Sequence, residues 1–255
     1  MKFATIVSGS SGNCVYIEGG STRILVDAGV TIKALKAACA GFGCLPKDIS
    51  ALLITHEHSD HVSGAERISR HFGLPVWASC STWENLPFYE CFSEDERHMF
   101  EYGMAIGELQ LDFFRLSHDA AQPVGIIVQH EDTRLAIATD TGCVTPSMAR
   151  MLRDCDGYVL EANHDKEMLM HGPYSYSLKR RVLSDRGHMS NEQAALALRE
   201  LAGPHTKHVI LAHLSETNNT PDLAMRQVMA VMQGCSYKPV ITVAPRHVPH
   251  HLIEI

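Results

Sequence analysis

Five times along this chain a short apolar run stops abruptly at a histidine or a carboxylate. Ala51-Leu52-Leu53-Ile54 leads through Thr55 to His56, residues 111–116 lead through Ser117 to His118, and Leu135-Ala136-Ile137-Ala138 leads through Thr139 to Asp140. Tyr158-Val159-Leu160 meets Glu161, and Val209-Ile210-Leu211-Ala212 meets His213. Runs this short, rich in Leu and β-branched residues, predict buried strands. Residues just past buried strands fall on one rim of a sheet, so five strands would deliver polar side chains to one place. A fold that satisfies this pattern is an α/β sheet protein with its chemistry at the strand ends.

Helical signals fill the gaps. Residues 62–71 follow the first strand end. Thr145-Pro146 reads as an N-cap and first helical residue ahead of 147–152. Ser190-Asn191-Glu192-Gln193 has the S-x-x-Q form of a capping box before 194–202, and Thr220-Pro221 opens a helix to about 232. Near the start, residues 3–7, 14–18 and 23–26 predict strands joined by glycine-rich turns. With no internal repeat, low-complexity tract or linker, residues 1–255 read as a single domain.

Composition narrows the function classes. A chain of 255 residues that is 45% hydrophobic buries a sizeable core. The formal charge of −7 argues against a broadly basic nucleic-acid groove, though not a local one, and leaves room for a partner protein that recruits the chain to substrate. No apolar run spans a bilayer, and no apolar segment precedes Ser8-Gly9-Ser10-Ser11-Gly12, so a cytoplasmic protein without membrane association is expected. The eight cysteines form no CxxC pair and are expected as reduced thiols, mostly packed in the interior. The sixteen histidines are the oddity, several beside Asp or Glu; histidine is the commonest metal ligand.

The densest cluster is His56-Glu57-His58-Ser59-Asp60-His61. On a loop after a strand, alternate residues point to one side, so His56 and His58 can grip one ion while Asp60 and His61 turn toward a second. Imidazole and carboxylate suit Zn²⁺, Mn²⁺ or Fe²⁺, and a site without thiolates argues against a structural zinc. The expected cofactors are two divalent ions, Zn²⁺ or Mn²⁺.

This cluster is the HxHxDH signature of the metallo-β-lactamase superfamily, and His118, Asp140 and His213 match its later ligand positions in order. The resemblance implies a four-layer αβ/βα sandwich with His56, His58 and His118 on one metal, Asp60, His61 and His213 on the other, and Asp140 bridging. The match narrows further. Ser8-Gly9-Ser10-Ser11-Gly12-Asn13-Cys14, Asp27-Ala28-Gly29, Ser117-His118-Asp119-Ala120-Ala121, Glu161-Ala162-Asn163-His164-Asp165, Leu178-Lys179-Arg180-Arg181, Gly187-His188-Met189-Ser190-Asn191 and His213-Leu214-Ser215-Glu216-Thr217-Asn218-Asn219 resemble the WalJ/YycJ family of bacterial hydrolases. That resemblance implies an RNase Z-like 5′→3′ exonuclease acting on DNA, compact and without a β-CASP insertion. It also implies His188 as proton donor to the leaving oxygen with Glu161 orienting it, and His164 as a second candidate. Asp60 would orient the attacking water.

Other residues keep two readings each. Lys179, Arg180, Arg181 and Arg186 either grip a nucleic-acid backbone or form a solvated helix face. Ser10, Ser11, Gly12 and Asn13 either approach phosphate or form a connecting turn. Trp77, Trp83, Phe88 and Tyr89 either stack bases or pack the core. His247, His250 and His251 match no ligand block and are expected at the surface. The rival functions are a small-molecule phosphodiesterase acting on a cyclic phosphate, and a metal-binding protein without catalysis.

Overall fold

The computed structural model describes residues 1–255. The first part of the chain builds six strands of one seven-stranded sheet. Strands β1 (Lys2–Val7), β2 (Cys14–Gly19) and β3 (Thr22–Val26) are antiparallel neighbours. Strands β4 (Ala51–Leu53), β5 (Val76–Ala78) and β6 (Arg97–Met99) then continue the sheet in parallel. Parallel neighbours need a crossover. Here α1 (Ile32–Phe42) links β3 to β4, α2 (Ser59–Val62) and α3 (Ala65–Phe72) link β4 to β5, and α4 (Cys80–Asn85) precedes β6.

The second half repeats the plan. Strands β7 (Gly103–Ile106), β8 (Leu109–Arg115), β9 (Val124–His130) and β10 (Thr133–Ala138) are antiparallel. They are followed in parallel by β11 (Gly157–Glu161), β12 (His208–Ala212) and β13 (Val240–Val243). Helix α5 (Pro146–Leu152), then α6 (Lys166–His171), α7 (Tyr176–Val182) and α8 (Asn191–Leu201), then α9 (Pro221–Met232), occupy the crossovers. The last strand, β14 (Ile253–Glu254), crosses back to pair with β1.

Three apolar clusters show how the layers stack. Ile24, Val26 and Leu53 of the first sheet meet Ile126, Ile137, Val159 and Ile210 of the second in a central core. The alternate residues face outward: Leu25 and Leu52 pack with Leu35, Ile68 and Trp83, and Ala136, Tyr158 and Val209 pack with Met148, Leu198 and Val228. Side chains alternate across a strand, and both faces here are covered, which is why these strands are apolar at consecutive positions. The result is the four-layer αβ/βα sandwich that the motif implied.

The helix caps follow the sequence signals: Thr145, Ser190 and Thr220 each accept a hydrogen bond from the third helical residue, and Gln193 completes the capping box with Ser190. Other expectations need correction. The helix expected over 62–71 is broken at Gly64, whose amide donates to Ala28 O at 2.8 Å and where a Cβ would meet Val30 O at 2.0 Å. The C-terminal residues supply the edge strands of both sheets. His250 is buried with its ring against His251 O at 2.8 Å, while His247 and His251 are exposed. Of the cysteines, Cys14, Cys39, Cys44 and Cys155 are buried, Cys80 and Cys91 are exposed, and Cys143 and Cys235 lie between. Trp83 and Phe88 are buried core residues, Trp77 stacks on His98 and Tyr89 lies under the Arg97 guanidinium.

Candidate metal centre

Each candidate ligand sits where a strand ends and the chain turns sharply. His56 to His61 run from just beyond β4 into α2, and this loop is held from behind by backbone. Asn13 N donates to Asp60 O, Ala28 N to His61 O and Gly29 N to Asn13 O, each at 2.8 Å. Asp27, Asp140 and His213 follow β3, β10 and β12 directly or nearly so, and all have left-handed backbones, with φ of 61°, 60° and 57°. That conformation is sparsely populated for non-glycine residues and gathers at functional sites. Gly29 cannot carry a side chain here, because a Cβ would lie 1.7 Å from Asp60 O. A Gly29→Ala protein should lose about 1–3 kcal/mol, roughly 2–12 °C of melting temperature, as the motif loop is pushed outward. Gly41→Ala, with nothing within 4 Å, is the control. Equal melting temperatures and metal content for the two variants would contradict this account of the loop.

The histidines are aimed by acceptors on their far nitrogens. His61 Nδ1 lies 2.7 Å from Asp27 Oδ2, His213 Nδ1 2.8 Å from Glu161 Oε1, and His118 Nδ1 3.1 Å from Gly187 O. His56 Nδ1 lies 3.0 Å from Thr55 Oγ1, whose own proton goes to Asp27. Each contact assigns the ring proton to Nδ1 and turns Nε2 inward as an electron-pair donor, the arrangement that outer carboxylates and carbonyls give to metal-bound histidine. His58 faces the other way, with Nδ1 3.3 Å from His118 Nε2.

Two three-residue sets converge, His56, His58 and His118 in one and Asp60, His61 and His213 in the other, with ligand atoms within 4.8 Å of one another in each. Asp140 reaches toward both: its Oδ2 lies 3.0 Å from His61 Nε2 and its Oδ1 3.7 Å from His118 Nε2. His56 Nε2, His213 Nε2 and Asp140 Oδ2 are buried without a hydrogen-bond partner. Orphaned buried polar atoms are costly, and atoms of these types facing one another are the donor set that a divalent cation satisfies. The protein alone fills the deficit with protons. Burial opposes a charged His213, yet Asp140, Asp60 and Glu161 outweigh it and lift its pKa to about 10. Burial likewise opposes the Asp140 carboxylate, but His213 and His61 hold it well below the usual range. Cation binding displaces such protons.

Beside the metal sets, Glu161 is fully buried. Its Oε1 lies 2.9 Å from His188 Nδ1 and 2.8 Å from His213 Nδ1, and its Oε2 accepts from the Thr141 and Met189 amides, both at 3.0 Å. Burial raises the Glu161 pKa, but His188 and His213 bring it down to about 2. Glu161 also works against the effect of burial on His188 and raises its pKa overall. His188 lines a cleft of about 240 Å³ with His58, Asp60, His118, Asp140 and His213, Ser10, Ser59 and Arg181 completing the wall; none is hydrophobic.

His164 is not among the cleft-lining residues. It is fully buried with both ring nitrogens unpartnered, and burial takes its pKa down to about 4. Asn13 is buried too: its amide nitrogen lies 3.0 Å from Asp60 Oδ2 and so braces a candidate ligand instead of facing the opening. Ser11 bonds to Glu216 at the rim, and Ser10 is the residue of that loop that lines the cleft. Lys179 is tied to Met170 O, Arg181 to Asp119 and Arg186 to His118 O, while Arg180 lies over the Tyr176 ring. Asp27 and Thr55, which hold His61 and His56, carry no motif of their own in the sequence. Asp27 ends the apolar run Ile24-Leu25-Val26, the same signal that marked Asp140 and Glu161.

Two mixed sheets packed face to face inside helical layers, with histidines and aspartates gathered at the strand ends, define a metallo-β-lactamase fold and a metal-dependent hydrolase. The model of the beta-lactamase superfamily domain matches residues 22–214. Exodeoxyribonuclease WalJ of Streptococcus pneumoniae serotype 2 (strain D39 / NCTC 7466) is 40% identical over 228 residues, 88% of this chain and 85% of that protein. Exodeoxyribonuclease YycJ of Bacillus anthracis is 38% identical over 242 residues, 91% of this chain and 89% of that protein. Among solved structures, the metallo-beta-lactamase fold protein YhfI from Bacillus subtilis superposes with a TM-score of 0.72 at 16% identity, covering 98% of each chain. The chain belongs to the beta-lactamase superfamily and, within it, to the WalJ/YycJ family.

Proposed function

We propose that this chain is a two-metal phosphodiester hydrolase that removes nucleotides from the 5′ end of DNA. The observation that carries the reading is the pair of three-residue ligand sets with Asp140 reaching toward a histidine of each, beside His188 on one polar cleft. His56, His58 and His118 would hold one ion, Asp60, His61 and His213 the other, and Asp140 would serve both; Zn²⁺ and Mn²⁺ suit these donors. Bound there, the ions supply Lewis acidity toward a phosphodiester and acidify a water.

The chain's own residues do the rest. Asp60, held by the Asn13 amide, orients the attacking water. Because Glu161 occupies His188 Nδ1, Nε2 is the ring nitrogen left to donate a proton to the leaving oxygen. Arg181, on the cleft wall and paired with Asp119, would meet the phosphate. The absence of any hydrophobic side chain from that wall favours a polymer's phosphates over a cyclic nucleotide, which needs an apolar slot for its base. The relatives named exodeoxyribonucleases supply the DNA substrate and the action from an end, and the family resemblance supplies the polarity. We also take residues 1–255 as one domain without a β-CASP insertion, since only α5, β11 and α6–α8 lie between Asp140 and β12. No helix is long and apolar enough to cross a membrane. The eight free cysteines fit the reducing cytoplasm, and the net charge of −7 fits recruitment by a partner protein.

Digestion of end-labelled DNA and RNA with Mn²⁺ or Zn²⁺ tests the proposal: early release of the 5′ label from DNA is expected, and activity on a lactone alone would overturn it. His188→Ala should slow DNA hydrolysis about 10²- to 10⁴-fold with metal content intact. Its effect on bis-p-nitrophenyl phosphate should be smaller, since nitrophenolate departs without a proton. Near-normal DNA hydrolysis by this variant would remove His188 from the reaction.

A further inference from the structure

The cleft that would hold the phosphates has no Phe, Tyr or Trp in its wall, and its imidazoles are those assigned to metal binding and proton transfer. The aromatic residues between the first motif and His118 are committed elsewhere, Trp83 and Phe88 in the core, Trp77 on His98 and Tyr89 under Arg97. One further aromatic side chain stands out on the helix that supplies Arg181 to the cleft. Tyr176, the first residue of α7, is 77% exposed.

Helix α7 is built for a partner on its outer face. Tyr176, Arg180 and the helix-capping Leu183 are spaced i, i+4 and i+7, so they share one side, and all three are exposed while Val182 is buried on another. The Arg180 guanidinium lies 5.9 Å from the Tyr176 ring centroid. Of the α7 cations, Lys179 is held by Met170 O and Arg181 by Asp119, whereas Arg180 forms no ion pair. A cation without an ion pair, in a chain of net charge −7, complements a polyanion. The same helix also reaches the cleft. Arg181, next in sequence, is a cleft-wall residue. Beyond it, Asp185 O accepts from Ser117 Oγ at 2.6 Å and Gly187 O from His118 Nδ1 at 3.1 Å, fastening the end of α7 to the ligand loops.

We propose that the Tyr176–Arg180–Leu183 face of α7 is a stacking platform for a nucleobase of single-stranded DNA, next to the nucleotide whose phosphate occupies the cleft. The inference rests on the nuclease reading and adds to it the form of the substrate. A base must leave its duplex to lie on an exposed ring, and ring, arginine and leucine together offer a π face, a charge and an apolar edge, the elements of sequence-tolerant single-strand binding. A duplex engages the platform once its end has opened.

The test is fluorescence anisotropy with the metal-loaded protein and a phosphorothioate-linked single-stranded oligonucleotide, which resists hydrolysis, beside the same oligonucleotide carrying abasic residues at the protein-bound end. The wild type should prefer the base-bearing form. Tyr176→Ala should weaken that form roughly 5- to 100-fold and abolish the preference, while Tyr176→Phe keeps it. Arg180→Ala should reduce the slope of log affinity against log salt by about 0.7. Tyr176→Ala binding the base-bearing oligonucleotide as tightly as the wild type does would overturn the proposal. So would a change in sedimentation without a change in DNA affinity, which would make the face a contact between copies of the chain. Loss of the preference in Tyr176→Ala, in a wild type that binds DNA but does not degrade it, would support the platform and refute the exonuclease.

Discussion

Asp140→Asn should leave the fold in place, strip the protein of metal and cut phosphodiester hydrolysis at least about a thousandfold. Asp140 is the one side chain whose oxygens face both ligand sets, Oδ2 toward His61 and Oδ1 toward His118. It is also buried and surrounded by imidazoles that count on its charge: His213 and His61 dominate the interactions that keep it ionised against burial. The amide of asparagine keeps the shape and one oxygen but directs an NH₂ group at a ring nitrogen. Asparagine is the cleaner test than alanine because the backbone here is left-handed, with φ of 60°, and Asn tolerates that region as Asp does. Loss of transition-state charge stabilisation worth several kcal/mol per ion sets the expected fall, at a factor of ten for each ~1.4 kcal/mol. Metal analysis of the purified variant, bis-p-nitrophenyl phosphate turnover and a far-UV circular dichroism spectrum check the three parts. A variant that retains two ions and a tenth of the activity would show that Asp140 does not join the two sets.

The strands that carry the centre were legible because their burial on two faces leaves a signature that needs no tertiary knowledge. Val159, for example, packs between the sheets while Tyr158 packs under the helices, so the run is apolar throughout and its first polar residue marks the rim. The caps were legible for a local reason as well, since Thr145, Ser190 and Thr220 act within three residues of themselves. Longer-range features were not. Strands β13 and β14 have 4 and 2 residues, too few to show a period, and what defines them is a partner far away in the chain. The break at Gly64 depends on the backbone of Ala28 and Val30 lying against it. Asn13 and Asp27 were visible as members of blocks, but their tasks depend on Asp60 and His61 folding back onto them. Tyr176 and Trp83 look alike as letters; α7 is 7 residues long, so no helical periodicity could separate the exposed ring from the buried one. His164 shares a block with Glu161, yet one residue points into the centre and the other is sealed behind it. Left-handed turns at Asp27, Asp140 and His213 aim the side chains, and residue type alone does not announce them.

Glu161→Gln should lower the melting temperature by roughly 6–20 °C and reduce turnover at least about tenfold, although the two side chains are nearly the same size. The reason is that every group facing Glu161 is a donor. Oε1 receives His188, His213 and, more distantly, the Asp140 amide at 3.3 Å, while Oε2 receives the amides of Thr141 and Met189. A glutamine has one oxygen. If it takes the Oε1 place, its NH₂ confronts two backbone N–H groups that cannot move without shifting the Asp140 loop and the start of α8. If it takes the Oε2 place, it confronts His188 and His213, which must then change tautomer or turn. Breaking a buried, hydrogen-bonded charge costs about 3–5 kcal/mol, and a domain of this size loses about 2–4 °C per kcal/mol. The functional loss has a separate origin. With Nδ1 of His213 no longer fixed by a carboxylate, its Nε2 is no longer held toward Asp60, and loss of an outer partner of a metal-binding histidine costs about 10–100-fold. Thermal unfolding followed by circular dichroism and a zinc titration separate the two effects. Melting within about 2 °C of the wild type would contradict the donor count, and unchanged zinc affinity would mean that His213 is oriented by something other than Glu161.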